Sequence, residues 1–186
     1  MNVMTKQLGT APTHHIQIKL HDINQLFNTM DPSPFREKDL DADAEEFIVS
    51  WAQEFPIRDP LCMTIHVERS DTPKQDDSLV EGAVQHYFAY RADLTRLEFR
   101  RLMRDGRISL LIGLVFLSVC LTAAQLLGRN STEAVRQVAS EGLVIAGWVA
   151  MWRPLQIYLY DWWPLHRRWK VFQKMSAMKV EIHRPQ

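Results

Sequence analysis

Three groups of side chains in this 186-residue chain have types and spacings that could do chemistry. Cys62 and His66 lie on one side of an alternating segment, with His15 and His183 in two others. Brought onto one sheet they would offer nitrogen and sulfur donors for a metal site. No C-x-x-C or H-x-x-x-H pair accompanies them, so a solvated or helix-covered sheet face is the preferred reading and no metal is expected. Asp39, Asp41, Asp43, Glu45 and Glu46 have the density of a calcium loop but lack its sixth-place glycine and run into an amphipathic pattern, which favours helix capping. Arg153, Asp161 and His166 form the third group, a polar cluster that an enzyme acting on lipid headgroups could use. Phosphate-cradling glycine loops, the G-x-S-x-G elbow and H-E-x-x-H are all missing. The expectation is therefore a protein that is not an enzyme and carries no cofactor.

The elements that would position these groups follow from periodicity. Ile16, Ile18 and Leu20 alternate with His15, Gln17 and Lys19, and Leu61, Met63, Ile65 and Val67 alternate with Cys62, Thr64, His66 and Glu68, the period of half-buried strands. Val180 and Ile182 predict a third strand over Lys179 to Arg184, folding back onto the strands near Ile16 and Ile65. Ala44, Phe47, Ile48, Trp51, Ala52 and Phe55 recur at helical spacing, with Asp41 and Asp43 ahead of them, capping-box spacing from Asp43 to Glu46, and Pro56 as the stop. A shorter helix is expected over Asp22 to Asn28, followed by Asp31-Pro32-Ser33-Pro34-Phe35, where two prolines exclude regular structure. That turn, through Asp31, Pro32, Pro34 and Phe35, is a candidate partner-binding surface. Residues 69–78 read as a polar linker. Val80, Ala83, Tyr87, Tyr90, Leu94 and Leu97 then form a helical seam that no proline interrupts, which predicts one long helix over about 77–127.

Composition excludes collagen-like, disulfide-rich and wholly disordered chains, with 7 Gly, 9 Pro, 2 Cys and 46% hydrophobic residues. The mean hydropathy of −0.22 conceals an uncharged run from Ile108 to Leu127. At roughly 1.5 Å per residue that run covers the ~30 Å of a bilayer core. A second apolar run, Gly142 to Tyr160, is interrupted by Arg153-Pro154. Two readings of Arg153 stay open: a side chain at the headgroups ahead of an interfacial aromatic helix, or one that, within a kinked helix, pairs with Asp161 or a partner protein's carboxylate or holds a lipid phosphate. Gly142, Ala146 and Ala150 form a small-residue ladder suited to packing on the first run.

The zero net charge is a sum of opposed blocks. Residues 1–90 carry 7 basic and 15 acidic side chains, whereas 91–107 carry six arginines against three acids and 153–186 carry seven basic groups against two. The basic blocks flank the apolar runs on their outer sides, so the positive-inside rule places both termini in the cytoplasm. Arg100, Arg101, Arg104, Arg107, Arg153, Arg167 and Arg168, with Trp162 and Trp163, are read as contacts to anionic lipid and its interface rather than to nucleic acid. Asn130-Ser131-Thr132 matches a glycosylation sequon that matters only in a eukaryotic secretory route.

Glu141-Gly142-Leu143-Val144-Ile145-Ala146-Gly147-Trp148, Trp152-Arg153-Pro154 and Tyr160-Asp161-Trp162-Trp163-Pro164, together with Gln25-Leu26-Phe27 and Asp31-Pro32-Ser33-Pro34-Phe35, resemble a group of uncharacterised bacterial two-pass membrane proteins. The resemblance covers most of the chain and implies a cytoplasmic domain on a membrane hairpin, without an activity or site residues. The expected protein is thus an α+β membrane protein of the bacterial inner membrane. It has a cytoplasmic α+β domain (1–76) of about three strands including the C-terminal one, a juxtamembrane helix (77–107), spans at 108–127 and 142–163, an external loop (128–141) and a basic tail (164–186). It is expected to act as a scaffold or accessory subunit beside a membrane-protein partner or a second copy, with a ligand-binding sensor as the alternative.

Overall fold

Period-two alternation at three places in the chain becomes one sheet. The computed structural model describes residues 13–68, 77–127 and 133–184. In it β1 (His14–Leu20), β2 (Leu61–Val67) and β3 (Lys179–His183) form a three-stranded parallel sheet in the order β1-β2-β3. The register sets Ile16 beside Met63 and Met63 beside Val180, and Ile18 beside Ile65 and Ile65 beside Ile182. This row is the core face, with Ile16, Met63 and Ile65 fully buried. The other face carries His15, Cys62 and Lys179, then Gln17, Thr64 and Glu181, then Lys19, His66 and His183. Parallel neighbours need crossover connections, and helices supply both.

The first crossover contains α1 (Ala42–Glu54). Its cap is Asp41, whose carboxylate accepts from the backbone N–H of Asp43 at 3.1 Å and of Ala44 at 3.4 Å, so the capping box expected from Asp43 to Glu46 is not the device used. Asp41 is the last residue with extended backbone, which is what aims its carboxylate at the free first-turn amides. Ile48 and Ala52 are buried, whereas Phe47 (44% exposed) and Trp51 (42%) pair with each other on the outer side, ring centres 6.0 Å apart. The short helix expected over Asp22 to Asn28 is a single 3-10 turn, Ile23–Leu26, capped by Asp22.

The chain divides into two compact units, Met1–Leu94 with Arg168–Gln186, and Thr95–Arg167. Two helices contribute to both: α2 (Asp77–Leu127), continuous over 51 residues, and α5 (Trp162–Met175). In the first unit α2 buries Val80, Ala83, Val84, Tyr87, Phe88 and Ala92, and α5 buries Val171, Phe172 and Met175 in the same core. The seam expected through Tyr90 and Leu94 therefore shifts after Tyr87 onto Phe88 and Ala92, leaving Tyr90 exposed. A helix of 3.6 residues per turn drifts off a strict seven-residue repeat, so the face toward the core moves on. Glu81 accepts from the Val180 N–H at 3.2 Å and Gln85 donates to the Met178 carbonyl at 3.0 Å, tying α2 to the start of β3.

The second unit is a pair of antiparallel helices. α3 (Glu133–Ala150) follows α2, then come α4 (Trp152–Gln156), a π-turn (Ile157–Asp161) and the start of α5. The segment read as a loop over 128–141 is helical from Glu133, because Glu-Ala-Val-Arg-Gln-Val-Ala is free of glycine and proline and rich in helix formers. The second apolar run is not one kinked helix over 142–163. It breaks at Met151, because Pro154 has no N–H to give the Ala150 carbonyl. The Met151 N–H closes a tighter turn onto Trp148, at 3.0 Å. The linker residues 69–76 and the sequon lie outside the described residues.

Candidate functional site

The helix pair touches itself along one narrow face and leaves the rest of its apolar surface open. A Cβ placed on Gly147 would stand 2.5 Å from Leu117 Cδ1 and 3.4 Å from Leu117 Cα, and one on Gly106 would stand 2.9 Å from Ile157 Cγ2. Close approach is therefore built on Gly147, Ala150 and Ile157 of the returning segment against Gly106, Gly113 and Leu117 of α2. Gly142 has open space around it and Ala146 is exposed, so the expected ladder of Gly142, Ala146 and Ala150 contributes only Ala150. The packing face is displaced by one residue, which in a helix is about 100° of rotation.

Away from this face Leu111, Ile112, Val115, Val119 and Leu126 of α2, and Ile145, Trp148, Val149 and Trp152 of the returning segment, are exposed. The 18-residue window of α2 with mean hydropathy 2.2 is only 17% buried. A core helix of equal hydropathy would be mostly covered. Arg100, Arg101, Arg104 and Arg107 project from α2 just before this apolar stretch. Arg153 Nη1 lies 3.2 Å from Asp161 Oδ2, as one of the two sequence readings has it, and both residues retain access to solvent. Trp163 is exposed, Trp162 is half-buried near His166 (ring centres 6.1 Å), and Arg167 is exposed.

The α+β unit carries a different feature, a polar groove of about 390 Å³ between α1, α2 and α5, lined among others by Glu45, Glu46, Arg91, Arg168 and Phe172. Glu45 organises it. One oxygen pairs with Arg91 Nη2 at 2.6 Å and the other accepts from the Tyr87 hydroxyl at 2.7 Å. Burial first, then this bond and the Glu45 charge, push the Tyr87 hydroxyl well above its ordinary titration range. Arg91 and Arg168 each lie 5.5 Å from the centre of the Phe172 ring, a cation–π arrangement. Arg168, expected at the lipid interface, thus lines this groove. Sequence reasoning missed the Glu45–Tyr87–Arg91 set because Glu45 lies 42 residues from Tyr87 and further still from Arg91, and no local pattern announces such a contact.

On the polar sheet face the His66 and His183 rings stack at 5.3 Å, and Cys62 is buried. Its thiol is raised by burial and by nearby Glu181. Among the described residues no group of three or more His, Cys, Asp or Glu is arranged to hold a metal ion.

The turn read as a partner surface is structured by its own side chains. Asp31 accepts from the Ser33 N–H at 2.9 Å and from the Asp39 N–H at 2.7 Å, and Phe35 packs on Phe27 at 4.8 Å, leaving Pro32 and Pro34 exposed. The bonds from Asp39 and then Ser33 hold the Asp31 carboxyl below its ordinary value of 3.8. A depressed folded-state value stabilises the fold above the unfolded value, and that contribution is lost as pH falls through the folded one. Asp31→Asn should therefore lower the denaturant midpoint at neutral pH, with the gap to the parent protein closing on acidification below about pH 4. Midpoints measured by tryptophan fluorescence between neutral pH and pH 2 check this. A gap independent of pH would contradict it.

Fold and surface together define an α+β protein with a parallel sheet and, among the described residues, one helix long and apolar enough to cross a membrane. No protein-family model, curated protein or solved structure matches the chain.

Proposed function

We propose that this protein is a non-enzymatic scaffold or accessory subunit of a bacterial inner membrane. In this reading α2 and the segment from α3 to the π-turn cross the bilayer as a hairpin, and both chain ends lie in the cytoplasm. The carrying observation is the uncovered apolar surface of the helix pair, above all the α2 window that is 17% buried. Full burial of an exposed Leu, Ile, Val or Phe gains about 1.5–3 kcal/mol, and such side chains, each about half exposed or more, cover the open faces of both helices, so lipid is preferred over solvent. The returning segment Gly142–Asp161 has one charge before its end, Arg153, and α3 runs back along α2 through the contacts of Gly147 with Leu117 and of Ala150 with Gly113. The arginines before the first run and after the second support cytoplasmic ends.

The scaffold role is supported by surfaces that suit partners and by the missing catalytic motifs: the Phe47–Trp51 pair on α1, the exposed Pro32 and Pro34, and the open helix faces. Purification in mild detergent from native membranes, followed by mass spectrometry, tests it. A partner held in stoichiometric amount is the expected result, and a lone homo-oligomer would overturn the accessory-subunit reading.

The polar groove favours a second reading, a sensor whose α+β unit binds a small charged ligand. At about 390 Å³ it falls in the size range of small-molecule sites. A metabolite that raises the thermal midpoint of the purified protein would support that reading.

A further inference from the structure

The break between α3 and α4 opens a groove beside α2. Its volume is about 380 Å³, and Ser109, Ile112, Gly113 and Phe116 line it on one side, with Ala150, Arg153 and Pro154 on the other. Two local features create it. Pro154 ends the hydrogen-bonded run at Ala150, and Gly113, where a Cβ would stand 3.0 Å from Met151 Sδ and 3.2 Å from the Ala150 oxygen, lets the turn approach α2 closely. Ser109, Ile112, Gly113 and Phe116 stand at positions i, i+3, i+4 and i+7 of α2 and so form one stripe. They occupy the first turns of the uncharged run that starts at Ile108, the end next to Arg104 and Arg107.

Arg153 is the charged member of this lining. Its side chain is 59% exposed, and one guanidinium nitrogen is engaged by Asp161 at 3.2 Å. Arginine presents five N–H donors in a planar fork, so a second acceptor can be held beside the first. An apolar stripe with one arginine at the end of a membrane span matches a molecule with a phosphate at one end and hydrocarbon at the other.

We infer that this groove is a binding site for an anionic phospholipid, with the phosphate on Arg153 and an acyl chain along Ile112 and Phe116. The inference rests on the hairpin reading above. The preference for an anionic headgroup comes from Arg100, Arg101, Arg104 and Arg107, which raise the potential at this end of the helix and attract negative lipid over zwitterionic lipid.

The test uses the full-length protein, extracted from the membrane fraction and reconstituted in phosphatidylcholine containing a minor share of phosphatidylglycerol. Native mass spectrometry then counts the lipids that stay bound. The parent protein should retain phosphatidylglycerol preferentially, and Arg153→Gln should lower that retention about fivefold. Ser109→Phe, which fills the groove and leaves every charge in place, should lower it as well. Asp161→Asn, which releases Arg153 from its partner, should keep or raise it, so the inference stays testable if Arg153→Gln does not fold. Lys19→Gln with Arg58→Gln, two exposed charges of the α+β unit, should change it little. Equal retention by the parent and by Arg153→Gln and Ser109→Phe would overturn the site, as would an equally large loss in the double control. A protein recovered in the soluble fraction would overturn the hairpin reading itself, whereas one extracted from membranes without lipid preference would overturn this inference alone.

Discussion

Phe172→Ala is expected to cost about 3–5 kcal/mol of stability, the range for removing a fully buried aromatic ring. The ring is 1% exposed, packs against Phe88 with centres 6.3 Å apart, and belongs to the core that joins sheet, α1, α2 and α5. It also underlies both groove arginines, each at 5.5 Å, and a cation–π contact adds about 0.5–1 kcal/mol at a partly exposed site. The cavity term dominates, so Phe172→Leu should recover most of the loss although it restores no cation–π contact. Phe47→Ala, on the outer side of α1, should change stability by less than about 0.5 kcal/mol. Denaturant midpoints of the purified protein read all three. A Phe172→Ala midpoint equal to that of Phe47→Ala would mean that α5 does not close the core.

Gly147→Leu is expected to destabilise the helix pair by about 1–3 kcal/mol, the usual range for overpacking a tight contact. Leu117 Cδ1 can swing aside from a new Cβ, but Leu117 Cα at 3.4 Å and Cys120 Cβ at 3.6 Å belong to α2 at or next to its backbone, and a whole leucine cannot be fitted between them. Gly142→Leu, with nothing within 4 Å of the added atom, should leave the thermal midpoint in detergent unchanged. The contrast separates the observed packing face from the one that residue types propose. Equal effects at both positions would refute the assigned face.

That contrast also marks where local pattern stops being informative. The strands were legible because Ile16, Ile18, Met63, Ile65 and Val180 alternate with polar residues, and period two is a property of neighbours along the chain. The length of α2 was legible because no proline breaks residues 77–127 and Gly106 is accommodated against Ile157. Parallel pairing was not legible, since alternation is the same for either strand direction. The packing face of α3 is not legible in the sequence because Gly142, Ala146, Gly147 and Ala150 are all small, and only the partner helix distinguishes one small-residue ladder from another. Capping by Asp41 rather than Asp43 turned on which residue keeps extended backbone, a choice made by the chain arriving from Leu40. The Arg153–Asp161 pair is one of two readings of the sequence, and between these residues, eight apart, lies the π-turn at Ile157–Asp161, which no local pattern announces. The polar groove was illegible because Glu45, Arg91 and Phe172 meet only in the folded unit.

The central claim is that the open apolar surface of the helix pair faces lipid and that the chain crosses the membrane twice. Compartment-specific thiol labelling tests it most directly. In a background without Cys62 and Cys120, single cysteines replace Glu54 in α1, Gln137 in α3 and Gln173 in α5, all of them exposed. A membrane-impermeant maleimide applied to intact spheroplasts is predicted to label the cysteine at 137 and to spare those at 54 and 173 until the membrane is opened. Equal protection of all three, or labelling of 54 and 173 on opposite sides, would contradict a two-pass hairpin with both ends in the cytoplasm.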